Sequence, residues 1–212
     1  MGRRALRPID PSLDLSHHLR PLADLCEQAG QLQLFERDAS LQVEVGCGKG
    51  LFLQRAASGQ PDQNFVGIEM AGKYARYAAA RLAKSGLPNA IVIHGDANQL
   101  FADRLQPESL AAVHVYFPDP WWKERHIRRR IMNPVFLQLV ERTLQPQGQL
   151  HFWTDVEEYY RLSLSVIDEA TQLSGPFDIP QRDAQHDMDY HTHFERRTRL
   201  HQQPVFRARF EK

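Results

Sequence analysis

Residues 117–130 read Phe-Pro-Asp-Pro-Trp-Trp-Lys-Glu-Arg-His-Ile-Arg-Arg-Arg, and three chemistries meet in that stretch. Asp119 lies between Pro118 and Pro120, so a stiff backbone aims its carboxylate. Trp121 and Trp122 offer flat faces for stacking. Lys123, Arg125, Arg128, Arg129 and Arg130, with His126 among them, form a cluster suited to phosphate. An aimed acid, a π surface and a basic run side by side describe a site that holds a nucleic-acid base.

A second constellation is spread along the chain. Glu44, Glu69, Asp96, Asp119 and Asp155 fall in or just after five successive strand-like runs. In an open α/β sheet, ligands bind outside the carboxyl ends of the strands. Five carboxylates on one rim repel each other unless a cationic or hydroxyl-rich ligand lies among them. The first run ends in Gly46-Cys47-Gly48-Lys49-Gly50, a loop that lets a ligand approach backbone closely. A dinucleotide loop needs Gly-x-Gly-x-x-Gly, and its last glycine would fall at Leu51. Glu44 beside the loop is poor company for a pyrophosphate. S-adenosylmethionine fits better, having no phosphate, a sulfonium, an amino group and two ribose hydroxyls. Glu69 is placed to accept the ribose hydroxyls in either cofactor, and Asp96 the adenine amino group.

The elements that must position these residues follow from the pattern. Strands are predicted at Leu41–Val45, Asn64–Ile68, Ala90–His94, Leu110–Phe117 and Gln149–Trp153. A sixth opens at Gly175-Pro176, and a seventh covers Val205–Phe210. Helices are predicted from Leu51, over Gly72–Ser85, from the Asn133 cap and Pro134 to Leu144, and over Val156–Leu173. Strands alternating with helices predict an α/β fold with a doubly wound, mostly parallel seven-stranded sheet. Residues 1–40 read as an irregular extension with a short helix near Leu22–Ala29, and 41–212 as the functional domain. Gln181–His193 reads as a polar, histidine-rich loop.

The bulk numbers fit one soluble α/β domain of 212 residues, 42% hydrophobic and 25% charged. No apolar run approaches the ~20 residues of a membrane helix, and the N-terminus has no apolar signal core. Cys26 and Cys47 read as free thiols in a reducing cytoplasm. The net charge is zero but segregated. Residues 1–20, 123–130 and 192–212 carry +2, +4 and +4, or +10 together, so the remainder carries −10. Local basic surface, not the total, binds phosphate.

Val43-Glu44-Val45-Gly46-Cys47-Gly48-Lys49-Gly50, Gly67-Ile68-Glu69, Gly95-Asp96-Ala97, Phe117-Pro118-Asp119-Pro120-Trp121 and Thr192-His193-Phe194-Glu195 together resemble the bacterial tRNA (guanine-N7-)-methyltransferases. The resemblance spans about 42 to 210. It implies a class I, Rossmann-like methyltransferase that moves a methyl group from S-adenosylmethionine to the variable-loop guanine, position 46 of tRNA. It assigns cofactor binding to Glu44, Glu69, Asp96 and Asp119, joined by Gly46, Gly48 and Gly50 of the loop, and makes Asp119 catalytic. Lys123, Asp155 and Thr192, His193, Phe194 and Glu195 would contact the substrate. Arg125, His126, Arg128, Arg129, Arg130 and Arg197 would meet the RNA. Thr198 stands where the family often has glycine, and Leu200-His201 replaces a leucine-glycine pair.

Guanine N7 is a free lone pair at neutral pH, so transfer needs no general base. Asp119 would stabilise the charge that develops on the base, and Asp155 or Glu195 would accept the N1 and N2 protons. Tyr159 and Tyr160 fall on a predicted helix and read as packing. His186, His191 and His193 have no supporting metal-ligand spacing, so no metal is expected. A cytoplasmic monomer or homodimer is expected. Rival readings are a methyltransferase for another RNA or a small molecule, a non-enzymatic RNA-binding subunit, and an NAD-dependent oxidoreductase.

Overall fold

Val43 and Val45 point to one face of their strand, while Gln42 and Glu44 point to the other. That alternation at the centre of the sheet decides which face becomes core and which builds a polar floor. A computed structural model describes residues 6–25, 34–179 and 190–212. Its strands are β1 (Leu19–Pro21), β2 (Leu41–Val45), β3 (Asn64–Glu69), β4 (Ala90–His94), β5 (Leu110–Tyr116), β6 (Leu144–Thr154), β7 (Ser174–Phe177) and β8 (Phe206–Glu211). They form one sheet in the order β1-β4-β3-β2-β5-β6-β8-β7. Every neighbouring pair is parallel except those of β8, which runs antiparallel to β6 and β7.

The helices are α1 (Leu51–Gly59), α2 (Gly72–Lys84), α3 (Ala97–Asp103), α4 (Pro134–Thr143), α5 (Glu157–Ala170) and α6 (His193–Leu200). On one face, Val43, Val66, Ile91, Val113 and Phe152 pack against Phe101, Phe136, Val140 and Ile167 of α3, α4 and α5. On the other, Phe65, Ala90 and Val92 pack against Leu53 of α1 and Ala75, Ala78 and Leu82 of α2. The alanines of α2 allow close approach to the glycine loop. A Cβ at Gly50, where φ is +68°, would lie 2.8 Å from that of Ala78.

The sheet has eight strands rather than seven. The added one, β1, joins β4 at the edge, with Leu19 opposite Val92. His18 Nε2 meets the Leu87 carbonyl at 3.0 Å, and Leu22 anchors the segment in the core. Three residues ending in proline carry no strand signal, yet an edge strand tolerates proline. The helix expected near Leu22–Ala29 is a single 3-10 turn over Leu22–Asp24, and residues 26–33 lie outside the described ones. The fifth strand starts earlier than expected: β6 begins at Leu144, and the Pro146-Gln147-Gly148 turn is a bulge within it. Of the expected loop Gln181–His193, residues 181–189 lie outside the described ones, and His193 opens α6.

Candidate active site at the strand ends

The strand order places β2 at the switch point, with β3 and β4 on one side and β5 and β6 on the other. The rim acids therefore follow the sequence Asp96, Glu69, Glu44, Asp119, Asp155 across the sheet. Glu69 holds the cofactor half together. Its Oε2 accepts the Gly48 N–H at 2.9 Å and its Oε1 the Ala71 N–H at 2.8 Å. One carboxylate thus fixes both the glycine loop and the start of α2. A carboxylate has about four acceptor sites, so two remain for hydroxyl donors. Asp96 caps α3 through Oδ1, which accepts the Asn98 N–H at 2.8 Å.

Glu44 is buried at 4% exposure, and its Oε2 has no hydrogen-bond partner among the described residues. Burial, reinforced by the charge of Glu69, holds its carboxyl well above the usual range. Such an orphaned acid is a demand for a cation or a donor. Beside it, Gly46 and Gly48 adopt φ of +73° and +54°, and a Cβ at Gly46 would meet nothing within 4 Å. This open, acid-floored cradle fits the sulfonium and ammonium end of S-adenosylmethionine and does not fit a pyrophosphate.

The Glu44 geometry yields a test. Burial raises the folded-state carboxyl above its unfolded value, so Glu44 costs the fold stability as pH rises from the ordinary carboxylate range towards the folded-state value. Glu44→Gln is expected to raise the Tm of the cofactor-free protein by roughly 3 °C or more. The same variant is expected to bind cofactor about tenfold or more weakly, since the lost charge is the one the ligand answers. Calorimetry of both states checks this; a lower Tm, or unchanged affinity, removes Glu44 from the cofactor site.

On the other side of the rim, Phe117 and Trp121 have φ of 51° and 44°, left-handed values that bulky residues avoid. Each costs on the order of 1 kcal/mol or more, held by surrounding contacts. The Phe117 N–H donates to the Trp153 carbonyl at 2.7 Å, and Arg130 Nε donates to the Pro120 carbonyl at 2.7 Å. Between these two ties Asp119 is exposed.

The basic run is not uniform. Arg130 is half-buried, lying over the rings of Trp122 and Tyr159 at 5.1 and 5.6 Å. Arg129 lies over Trp121 at 5.4 Å. Each tryptophan thus already carries an arginine of its own chain, which the sequence did not reveal. Lys123, Arg125, Arg128 and Arg129 are exposed, and His126 packs on Trp121. Trp122 is 46% exposed, so it is not core.

The Thr192-to-Glu195 motif divides in two. Thr192 and Glu195 are buried; His193 and Phe194 are exposed. Thr192 Oγ1 accepts the Glu195 N–H at 3.0 Å, which makes it the cap of α6. Glu195 is fully committed: Oε1 pairs with Arg207 at 3.0 Å and Arg199 at 3.4 Å, and Oε2 accepts the His191 N–H at 2.6 Å. Of the two carboxylates expected at the guanine edge, Asp155 or Glu195, Glu195 is the one already engaged within the chain. Its carboxylate is turned inward to two guanidinium groups. Asp155 is half-buried and accepts a long 3.4 Å hydrogen bond from Thr198 Oγ1. Phe194 lies nearly parallel to Phe117, with centroids 6.1 Å apart and planes at 19°, and Arg197 lies over its ring.

Tyr116, Trp153 and His191 form an aromatic floor that sequence reasoning did not identify. Behind it, His114 Nε2 meets Gln42 Oε1 at 2.7 Å, and Nδ1 meets the Tyr116 hydroxyl at 2.9 Å. Burial drives the His114 imidazole down, and burial with the Arg209 charge pulls His151 down to about 4. Among the described residues no group of three His, Cys, Asp or Glu side chains could hold a metal ion, and no helix is long and apolar enough to cross a membrane.

A family model described as "Putative methyltransferase" matches residues 38–208. The tRNA (guanine-N(7)-)-methyltransferase of Rhodopirellula baltica is 46% identical over 218 residues, covering 100% of this chain and 80% of that one. The chain belongs to the tRNA (guanine-N(7)-)-methyltransferase family. Another member, from Alcanivorax borkumensis, is 38% identical over 68% of this chain and 61% of its own length, so there the match spans less than two thirds of the relative. A solved S-adenosylmethionine-dependent methyltransferase from Aquifex aeolicus shares the fold, with a TM-score of 0.54 at 14% identity, over 82% of this chain and 83% of that one. The protein is an S-adenosylmethionine-dependent methyltransferase, and the oxidoreductase reading falls away.

Proposed function

We propose that this family member methylates N7 of a guanine in tRNA, the variable-loop guanine at position 46. The observation that carries the reading is the buried Glu44 carboxyl, whose Oε2 has no hydrogen-bond partner among the described residues, on the same strand-end rim as Asp119, with exposed arginines following Asp119 in the chain. The names of the relatives support the same substrate.

The cofactor, when bound, supplies a methyl carbon on a sulfonium sulfur. Glu44 answers its cationic end, Glu69 accepts its ribose hydroxyls and Asp96 its adenine amino group. Guanine N7 carries its lone pair free at neutral pH, so the chain needs no general base to prepare it. The chain's task is positioning, which can supply ~7–11 kcal/mol. Positive charge grows on the imidazole half of guanine, and Asp119 stabilises it as it develops. Asp155 accepts hydrogen bonds from guanine N1–H and N2–H, a contact adenine cannot make. The base must leave its stack to reach the rim, and the exposed Phe194 ring beside half-buried Phe117 offers aromatic surface that offsets that cost. Lys123, Arg125, Arg128, Arg129 and Arg197 hold phosphates.

Incubation with methyl-labelled S-adenosylmethionine and unmodified tRNA, followed by cleavage specific for N7-methylguanine, tests the reading. Label at a single variable-loop guanine, with a rate that falls as salt rises, is expected. Cofactor binding with no label on RNA would discard the tRNA substrate in favour of another acceptor.

A further inference from the structure

His191 and His193 stand on either side of the α6 cap, and among the described residues neither belongs to a group that could hold a metal ion. Each instead meets an arginine from a helix of the cofactor half. Arg55 Nη1, on α1, lies 3.2 Å from His191 Nδ1. Arg81 Nη2, on α2, lies 3.2 Å from His193 Nε2. Arg81 is itself bound to α1, its Nη1 donating to Gln54 Oε1 at 2.8 Å. Both helices start at the cofactor rim, α1 from the Gly50 cap and α2 after the Glu69 tie.

Arginine has donors only, so both imidazole nitrogens must accept. His191 Nδ1 is also 3.7 Å from Glu195 Oε2, but the shorter arginine contact sets its role. The His191 ring is seated on Trp153 at 4.6 Å, with Tyr116 and Phe52 at 6.3 and 6.4 Å. Its backbone N–H holds Glu195. One residue therefore touches α1, the aromatic floor and the buried acid of α6.

We propose that His191 is a positioning residue, tethered by Arg55, that fixes the substrate segment 192–195 against the cofactor helices, with the Arg81–His193 contact as a second tether. The inference rests on the tRNA reading for its kinetics, but not for its structural readout. The tether makes the distance between methyl donor and captured base a property of two helices rather than of a loop. Loss of it leaves cofactor binding in place and blurs the position of the base.

The test uses the full chain in five forms: wild type, His191→Leu, His191→Asn, Arg55→Met and the Arg55→Met/His191→Leu double variant. Leucine removes the acceptor; asparagine puts an oxygen near the position of Nδ1. Thermal melts establish folding. Expected for His191→Leu is an increase of about tenfold in KM for tRNA, with cofactor affinity within about twofold of wild type. Asparagine is expected to restore most of that loss. The Arg55→Met/His191→Leu double variant is expected to be no worse than the poorer single, since both remove one contact. Hydrogen exchange of the substrate-free protein should rise across 190–200 in Arg55→Met and stay unchanged across 51–59. Unchanged exchange, or additive losses in the double variant, overturns the tether. A wild type that methylates no tRNA would overturn the substrate reading alone, because the exchange result stands without it.

Discussion

Asp119→Ala is expected to lower kcat on tRNA by roughly 10²–10³, the loss usual when one preorganised electrostatic partner is removed from a developing charge. The fold should survive the change. Asp119 is exposed, and the turn around it is held by the Phe117–Trp153 backbone hydrogen bond and by Arg130 Nε donating to the Pro120 carbonyl, neither of which uses the Asp119 side chain. Asp119→Asn keeps the shape and removes the charge, so it separates electrostatics from geometry. If the asparagine variant turned over near the wild-type rate, the carboxylate would be a turn residue and the mechanism would need another anion. The KM for tRNA should move little in either variant, because the exposed basic residues Lys123, Arg125 and Arg128 proposed to meet the RNA lie beyond the turn.

Glu195 gives the largest expected effect on stability. Glu195→Ala leaves Arg207, with 7% of its side chain exposed, and Arg199 facing a cavity without their carboxylate. Breaking one partner of a buried pair costs about 3–5 kcal/mol. The pH dependence carries a sign that can be checked. Burial alone would raise the Glu195 carboxyl, but the hydrogen bond from the His191 backbone N–H and the ion pair with Arg207 outweigh it and bring it down to about 2. A depressed folded-state pKa contributes stability above the unfolded value and loses it as pH falls towards the folded one. That contribution should vanish between about pH 4.5 and 2. His114 and His151, held neutral by burial, begin the acid decline earlier, as pH drops below their ordinary value of 6.5. Wild type should therefore lose stability in two acid stages, and Glu195→Gln should lack the second. Denaturant melts from pH 7 to 2 decide it; a single stage in wild type, or an unchanged second stage in the variant, rules the pairing out.

The rim acids were legible because the sheet's central strands are short, apolar and end abruptly in glycine or a carboxylate. Glu69, Asp96, Asp119 and Asp155 fall at strand ends and Glu44 one residue inside, as the spacing predicted. The edge strand β1 was not, because Leu-Arg-Pro has neither the length nor the alternation to announce one. Nor was α6: His-Phe-Glu-Arg-Arg-Thr-Arg-Leu has few apolar positions to give it a helical face. The available signal was Thr192 three residues before Glu195, a capping-box spacing, read only as a substrate motif. That reading also hid the inward turn of Glu195, whose partner Arg207 lies on β8 and is brought near only by antiparallel pairing with β6. The stacking of Arg129 and Arg130 on the tryptophans was equally invisible, since charge counting treats every arginine in a run alike.

The place of β8 between β6 and β7 has a consequence for how the protein comes into being. Translation delivers every rim acid, from Glu44 to Asp155, before Arg207. A domain generally folds as a unit. Among the described residues β7 has no neighbour in the sheet except β8, and Glu195 has no Arg207 until β8 is made. The sheet therefore closes only when its last-made strand inserts between β6 and β7, so completion of the fold waits on the final stretch of synthesis.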